Sequence, residues 1–362
     1  MEATVLTRHE TPAPTGASPP SLAPASTHMF REAGEAARIA AVQLTANAPK
    51  IQALAQRLRA NPPRVVVTCA RGSSDHAATF ARYLIETKAG VLTSSAGPSV
   101  SSVYDASPNL EGALYLAISQ SGKSPDLLAA VKAAKAAGAH TVALVNVVDS
   151  PLAALADEVI PLHAGPEISV AATKSYIAAL VAVTQLIAAW TEDAELTAAL
   201  QDLPAALAAA WTLDWSPAVE RLKTASNLYV LGRGVGFGVA LEAALKFKET
   251  CGLHAEAFSA AEVLHGPMAL VKDGFPALVF AQNDESRASV DEMAAGLRAR
   301  GASVLIAGGA SATDALPTLA SHPVLEPILM IQSFYRMANA LSVARGYDPD
   351  SPPHLNKVTE TV

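Results

Sequence analysis

Tyr229-Val-Leu-Gly-Arg-Gly-Val-Gly236, continuing through Lys246-Phe-Lys-Glu249 to Ala261-Glu-Val-Leu-His-Gly-Pro267, is the stretch whose reading decides the fold. An apolar strand runs into a glycine-rich turn, and the turn opens a helix bearing Glu242, Lys246 and Glu249. Strand, glycine turn and helix in that order belong to a doubly wound α/β sheet, which binds ligands at the strand ends. Acids, a lysine and histidines are costly to hold near an apolar core. Their concentration here, with His254, Glu256, Glu262 and His265 following, asks for a chemical reason.

The same grammar occurs earlier in the chain. Val65–Cys69 leads to Arg71-Gly72 as Leu228–Leu231 leads to Arg233-Gly234, and Ala117–Gln120 is answered by Val279–Gln282. Strands are expected near 64–69, 90–94, 112–118, 140–146 and 158–162, with helices between them and a long helix over 174–192. A helical connector over 195–225 precedes the restart. Glycine turns after strands in constant register do not arise by chance, so the fold expected is two tandem, doubly wound, flavodoxin-like α/β domains with parallel sheets. Their bounds are set at 29–200 and 201–347, between a disordered proline-rich tail (1–28) and a C-terminal tail (348–362).

Composition narrows the function class. Of the 362 residues, 51% are apolar and 16% charged, enough for a large core under a sparsely charged surface, part of which another subunit could cover. A net charge of −7 argues against a nucleic-acid groove but not against a small anionic ligand. Cys69 and Cys251 read as buried reduced thiols, which fits the cytosol. The apolar run 178–190 is too short to span a membrane, and the N-terminus shows no signal peptide.

Ser119-Gln-Ser-Gly-Lys-Ser-Pro125 follows the most apolar strand of the first half, with Ser124 as a natural N-cap and Pro125 at the first helical position. Such a hydroxyl-rich turn can hold a phosphate, and Arg71-Gly-Ser-Ser-Asp75 offers a second set of donors at a neighbouring strand end. The plain alternative is two ordinary capped loops. Glu242, Lys246 and Glu249 share one helix face, either as a solvated ion-pair stripe or as a proton-transfer face at the mouth of the sheet. His254, Glu256, Glu262 and His265 lack the spacing of a helical metal-ligand set. His265, before Gly266-Pro267, suits an acid–base role, and His254 a structural hydrogen bond. Lys174 reads as a helix-start residue with a carbonyl or phosphate partner, and Lys357 alone reads as a solvated terminal lysine.

Ser-Gln-Ser-Gly, Glu-x-x-x-Lys-x-x-Glu, His-Ala-Glu-Ala-Phe and Glu-x-x-His-Gly-Pro together resemble the double sugar-isomerase (SIS) domains, specifically the isomerase half of glutamine–fructose-6-phosphate aminotransferase. The resemblance covers roughly residues 30–362. It implies a sugar-phosphate site, with Ser73, Ser74, Ser119, Gln120, Ser121 and Ser124 around the phosphate and Val170 and Ala171 in a loop lining the sugar. It further implies Glu249 as the base moving a proton between C1 and C2, assisted at the C1 oxygen by Lys246 and Glu242. His265 would open the ring, reaching in from the other subunit of a homodimer. Lys357 matches the lysine that forms a Schiff base, on a tail that closes the site. No metal or organic cofactor, nucleic acid or membrane is called for.

Departures from that pattern matter. The aminotransferase begins with a cysteine nucleophile in a glutamine-hydrolysing domain, whereas position 2 here is Glu and only a short proline-rich stretch precedes the repeats, so ammonia release from glutamine is not expected. Lys123 stands in place of an acid and Ala172 in place of a serine. Cys69-Ala-Arg-Gly-Ser-Ser-Asp-His76 and Ser-Gly-Lys-Ser-Pro-Asp126 are similar instead to the stand-alone SIS-type glucosamine-6-phosphate deaminases. The expected reaction is therefore glucosamine 6-phosphate to fructose 6-phosphate and ammonia. Its rivals are another amino-sugar-phosphate deaminase or isomerase, ammonia-driven synthesis in reverse, and a sugar-phosphate sensor without catalysis.

Overall fold

The computed structural model describes residues 22–106, 108–309 and 314–357. Most of the expected N-terminal tail lies outside them. Residues 24–28 are ordered, however, because the Pro24 carbonyl and the Thr27 hydroxyl both bond to the buried amide of Asn339, at 2.8 and 2.7 Å.

Five strands make the first sheet: β1 (Val66–Cys69), β2 (Thr93–Ser95), β3 (Leu114–Ser119), β4 (His140–Val145) and β5 (Glu158–Pro161). They are parallel throughout, in the order β2-β1-β3-β4-β5. The second sheet holds β6 (Asn227–Gly232), β7 (His254–Ser259), β8 (Pro276–Phe280), β9 (Ser303–Ala307) and β10 (Ala315–Leu316), in the order β10-β9-β8-β6-β7. Read from its other edge, that is the order of the first sheet, so the repeat seen in sequence is a repeat of topology. In each sheet the strand order reverses beside the first strand, between β1 and β3 and between β6 and β8. The crevice opened at such a reversal is where doubly wound folds take their ligands.

Three strands depart from expectation, one of them the two-residue β10, where no strand was expected. β2 was placed over 90–94 but begins at Thr93, because Gly90, at φ +67°, ends the preceding helical turn. β7 was not anticipated: its polar residues alternate on an edge strand, with His254 and Glu256 exposed and Ala255 buried. An edge strand half open to water gives no apolar run to recognise.

The helix Lys174–Trp190, buried on nearly every side, accounts for the apolar run near 180. Among the described residues no helix is long and apolar enough to cross a membrane. The repeats meet where the helix Val235–Cys251 crosses Ser73–Leu84, in a core shared by Phe80, Val239, Phe247 and Tyr335. Gly238 permits the close approach, since a Cβ there would stand 2.7 Å from the His76 carbonyl oxygen and 3.0 Å from the Phe80 nitrogen. Gly238→Ala should therefore lower the unfolding free energy by about 1–3 kcal/mol, read as a lower denaturant midpoint. An unchanged midpoint would show that the helices can part without cost.

Candidate active site

The turn after β3 is shaped by its own hydroxyls. Ser119 Oγ accepts a hydrogen bond from the Gly122 nitrogen at 2.9 Å, and Ser121 Oγ from the Lys123 nitrogen at 3.3 Å. Gly122 lies at φ +64°, and a Cβ there would stand 2.2 Å from Ser150 Oγ, so only glycine closes this turn. Ser124 occupies the N-cap of the helix Pro125–Ala136 as expected, yet its side chain makes no capping bond. At the end of β1, Gly72 (φ +54°) turns the chain into the helix that opens with Ser73 and Ser74. Hydroxyls and helix N-termini thus converge on the crevice between β1 and β3, an arrangement suited to an anion.

Ser73, Ser74, Ser119, Gln120, Ser121 and Ser124 line one cleft of about 380 Å³, and Val170, Glu249 and Lys357 line it with them. Ala171 is buried beneath the wall, and Ala172 takes its place at the surface of the cleft.

Behind Glu249 stands a buried charge relay on the helix Val235–Cys251. Glu242 and Lys246 are wholly buried, while the Glu249 side chain keeps 21% exposure. The Lys246 ammonium is hydrogen-bonded to Glu249, lies 3.4 Å from Glu242 Oε1 and donates to Ser73 Oγ at 3.1 Å. Glu242 also accepts from the Tyr335 hydroxyl at 2.9 Å and pairs with His76 Nδ1 at 3.0 Å. Burial alone would raise the Glu242 carboxyl, but the Lys246 ammonium, with His76 and Tyr335, outweighs it and holds the group below the usual carboxylate range. Burial would likewise lower Lys246, and the two glutamates reverse this, holding the ammonium above the usual lysine range. The stripe on this helix is therefore neither solvated nor uniform. One carboxylate meets the cleft, and the other two groups orient it and fix its electrostatics.

The fourth wall comes from the chain's last described residues. Lys357 Nζ donates to the Ser169 carbonyl at 2.8 Å and lies 3.3 Å from Glu167 Oε2. Glu167 in turn accepts from the Thr173 and Ser175 nitrogens and the Ser175 hydroxyl, at 3.0, 3.2 and 2.7 Å. Lys174 is buried and pairs with Glu35 at 3.1 Å, so its partner is a carboxylate and not a carbonyl or phosphate. His265 ends the 3-10 turn Ala260–His265, exposed and outside the cleft of its own chain. Among the described residues no group of three His, Cys, Asp or Glu could hold a metal ion.

Arg71, placed by sequence reasoning only within the donor turn after β1, lines the cleft, as does Leu355, which that reasoning passed over along with His76, Tyr335 and Glu167, which brace the cleft. Only Arg71 carried a local signal, its place in the turn after β1. His76, Tyr335 and Glu167 act across sequence separations of 93 to 190 residues.

The second repeat keeps the turns, and its own cleft is lined by Arg233 and by an acid, Asp284. Asp284, at the position matching Gly122, accepts from the Ser286 nitrogen at 2.9 Å and hydroxyl at 2.5 Å and from Gln282 Nε2 at 2.9 Å. The donors that would greet an anion there are already taken by a carboxylate.

Comparison with known proteins agrees with this layout. The SIS domain model matches residues 60–189 and 221–342. The chain is similar to the glutamine–fructose-6-phosphate aminotransferase (isomerizing) of Aeropyrum pernix, at 37% identity over 308 residues, 79% of this chain and 49% of that protein. It thus spans about half the length of the curated relatives it matches. A solved candidate phosphosugar isomerase of Silicibacter pomeroyi DSS-3 superposes with a TM-score of 0.85 at 46% identity, covering 90% of this chain and 100% of the other. The C-terminal domain of glucosamine-fructose-6-phosphate aminotransferase from Francisella tularensis gives 0.82 at 25% identity, covering 90% and 98%. With both sheets inside matched segments and the cleft at the strand reversal of the first, the chain belongs to the SIS-domain family.

Proposed function

We propose that the protein is an amino-sugar-phosphate deaminase that isomerises glucosamine 6-phosphate and releases fructose 6-phosphate and ammonia. One observation carries this reading: the hydroxyl cradle, the Glu249 carboxylate and the Lys357 amine share a single cleft. Pure binding needs the cradle alone. A carboxylate backed by a wholly buried ammonium is costly to maintain, which favours a catalytic use.

The phosphate sits in the Ser119–Ser124 turn and against Ser73–Ser74, which fixes C1 and C2 of the open-chain sugar beside Glu249. Glu249 removes the C2 proton. The electron pair forms the C1–C2 double bond, and the aldehyde oxygen gains a proton to become a hydroxyl. Glu249 then delivers its proton to C1, leaving a ketimine at C2. Water adds to the C2=N bond and ammonia departs, so the sum is sugar phosphate plus water giving ketose phosphate plus ammonia. Lys246 keeps Glu249 oriented and compensates the negative charge that passes between carboxylate and enolate-like intermediate. In the covalent variant, the Lys357 amine displaces ammonia at C2 and water later releases it. His265 fits ring opening only if a second copy of the chain presents it, which makes the active unit a homodimer in this reading.

Glu249→Gln should cut turnover by about 10²–10⁴-fold while sparing sugar-phosphate affinity, followed by simultaneous assay of fructose 6-phosphate and ammonia and by calorimetry. Loss of affinity with no loss of turnover per bound substrate would move Glu249 from the chemistry to the binding of the sugar. For Lys357→Ala, trapping with borohydride and ketose phosphate should no longer label the protein if the covalent route operates. Turnover within a few-fold of the parent would assign hydrolysis to the direct route.

A further inference from the structure

We infer that Arg71 is a substrate ligand of this site: its guanidinium, held by the buried Asp126 carboxylate, neutralises the phosphate and selects phosphorylated over unphosphorylated sugars. The inference rests on the reading of the cleft as a sugar-phosphate site and adds to it a guanidinium that lines the cleft beside the serines and glutamine.

Three observations converge on it. Arg71 lines the cleft beside Ser73, Ser74 and Ser124, with its side chain 52% exposed. Its Nε and Nη2 donate to Asp126 Oδ2 at 2.8 and 2.7 Å, which orients the planar fork. Asp126 is itself fully buried, and its Oδ1 accepts from the Leu127 nitrogen at 2.7 Å. A guanidinium carries five N–H donors, so with Nε and one Nη2 hydrogen given to Asp126, three donors of this cleft-lining residue are left for a ligand. Holding an arginine from one side by a buried carboxylate while its other edge stays open to the ligand is a preorganised arrangement for an oxyanion.

The charge balance points the same way. A phosphate monoester carries about −1.5 to −2 at neutral pH. Of the other cations, Lys246 is buried between Glu242 and Glu249, Lys357 lies against Glu167 and the Ser169 carbonyl, and Lys123, though in the turn, is exposed and does not line the cleft. Serine hydroxyls and backbone N–H groups supply hydrogen bonds but no full positive charge. In the second repeat the matching residues are Arg233 and Ala288, so the arginine persists where its carboxylate clamp does not, and Asp284 occupies the cradle. The arginine–carboxylate pair thus belongs to the serine-lined turn of the first repeat and is missing from the second, where Asp284 lines the cleft instead.

The test uses inorganic phosphate as the probe, so that it does not depend on the reaction. Calorimetric titration of the purified full chain with phosphate, repeated for Arg71→Ala, Arg71→Lys and Asp126→Asn, should show affinity falling about 10- to 100-fold for Arg71→Ala, the loss of one charge-assisted contact. Arg71→Lys should fall in between, because it keeps the charge and loses the fork. Asp126→Asn should weaken phosphate less than Arg71→Ala, since it frees the guanidinium without removing it. With glucosamine 6-phosphate, KM should rise for Arg71→Ala by more than kcat falls, and unphosphorylated glucosamine should inhibit Arg71→Ala and the parent to the same extent. Equal phosphate affinity in parent and Arg71→Ala, both melting cooperatively, would overturn the inference and leave the cradle standing. Equal weakening by Arg71→Ala and Asp126→Asn would assign the pair to holding the turn, which also overturns it. If the parent binds no phosphate at millimolar concentration, the sugar-phosphate reading falls and takes this inference with it. Should Arg71→Ala fail to fold, Arg71→Lys with an affinity equal to the parent's decides against the fork.

Discussion

A single ammonium shut away from the surface organises this protein. Lys246 is wholly buried, and an isolated charge there would lose its proton or unfold the core. It is kept charged because Glu242 and Glu249 flank it on its own helix and Ser73 receives a hydrogen bond from it across the repeat boundary. Glu242 is in turn satisfied by Tyr335 and by His76 of the first repeat. The network therefore joins the helices Ser73–Leu84, Val235–Cys251 and Glu326–Ala344, and its tip, Glu249, is the part that meets the cleft. The same contacts that hold the two repeats together aim the carboxylate.

Duplication explains the scaffold, and divergence explains the site. Both sheets have the strand order of doubly wound domains, and both open their first helix with a glycine near φ +55°. In the first repeat the turn after the third strand is serine-rich and its Ser124 hydroxyl makes no cap, so donors remain for a ligand. In the second, Asp284 takes the Ser286 donors and lines a separate cleft with Arg233, and that repeat also gives its helix to the first. One repeat supplies the serine-lined turns and the other the Glu249 carboxylate, so the cleft needs both.

The segments at the chain's edges complete the enclosure. Asp350 accepts from the backbone nitrogens of His28 and Met29 at 2.6 and 2.7 Å, and Glu32 accepts from Ile168 and from Ser169, the latter at 3.1 Å. The first helix, the 167–175 loop and the C-terminal stretch bearing Lys357 are thus braced against one another. Carboxylates accepting backbone N–H groups do this bracing, which fixes irregular loops without requiring them to be apolar.

Sequence alone determined the class of fold, its duplication and most of the cradle, because those rest on local rules. Strand–glycine–helix order, a serine before Pro125 and acids spaced on one helix face are visible within a dozen residues. It could not assign a place to each charge on that face, since spacing puts Glu242, Lys246 and Glu249 on one side without saying which of them is buried. Nor could it reveal that polar β7 is a strand, that Lys174 answers Glu35, or that Arg71 is clamped by Asp126 across 55 residues. Those depend on which distant side chains the packed repeats bring within hydrogen-bonding distance, and for buried charges that partner choice decides whether a residue braces the protein or faces its ligand.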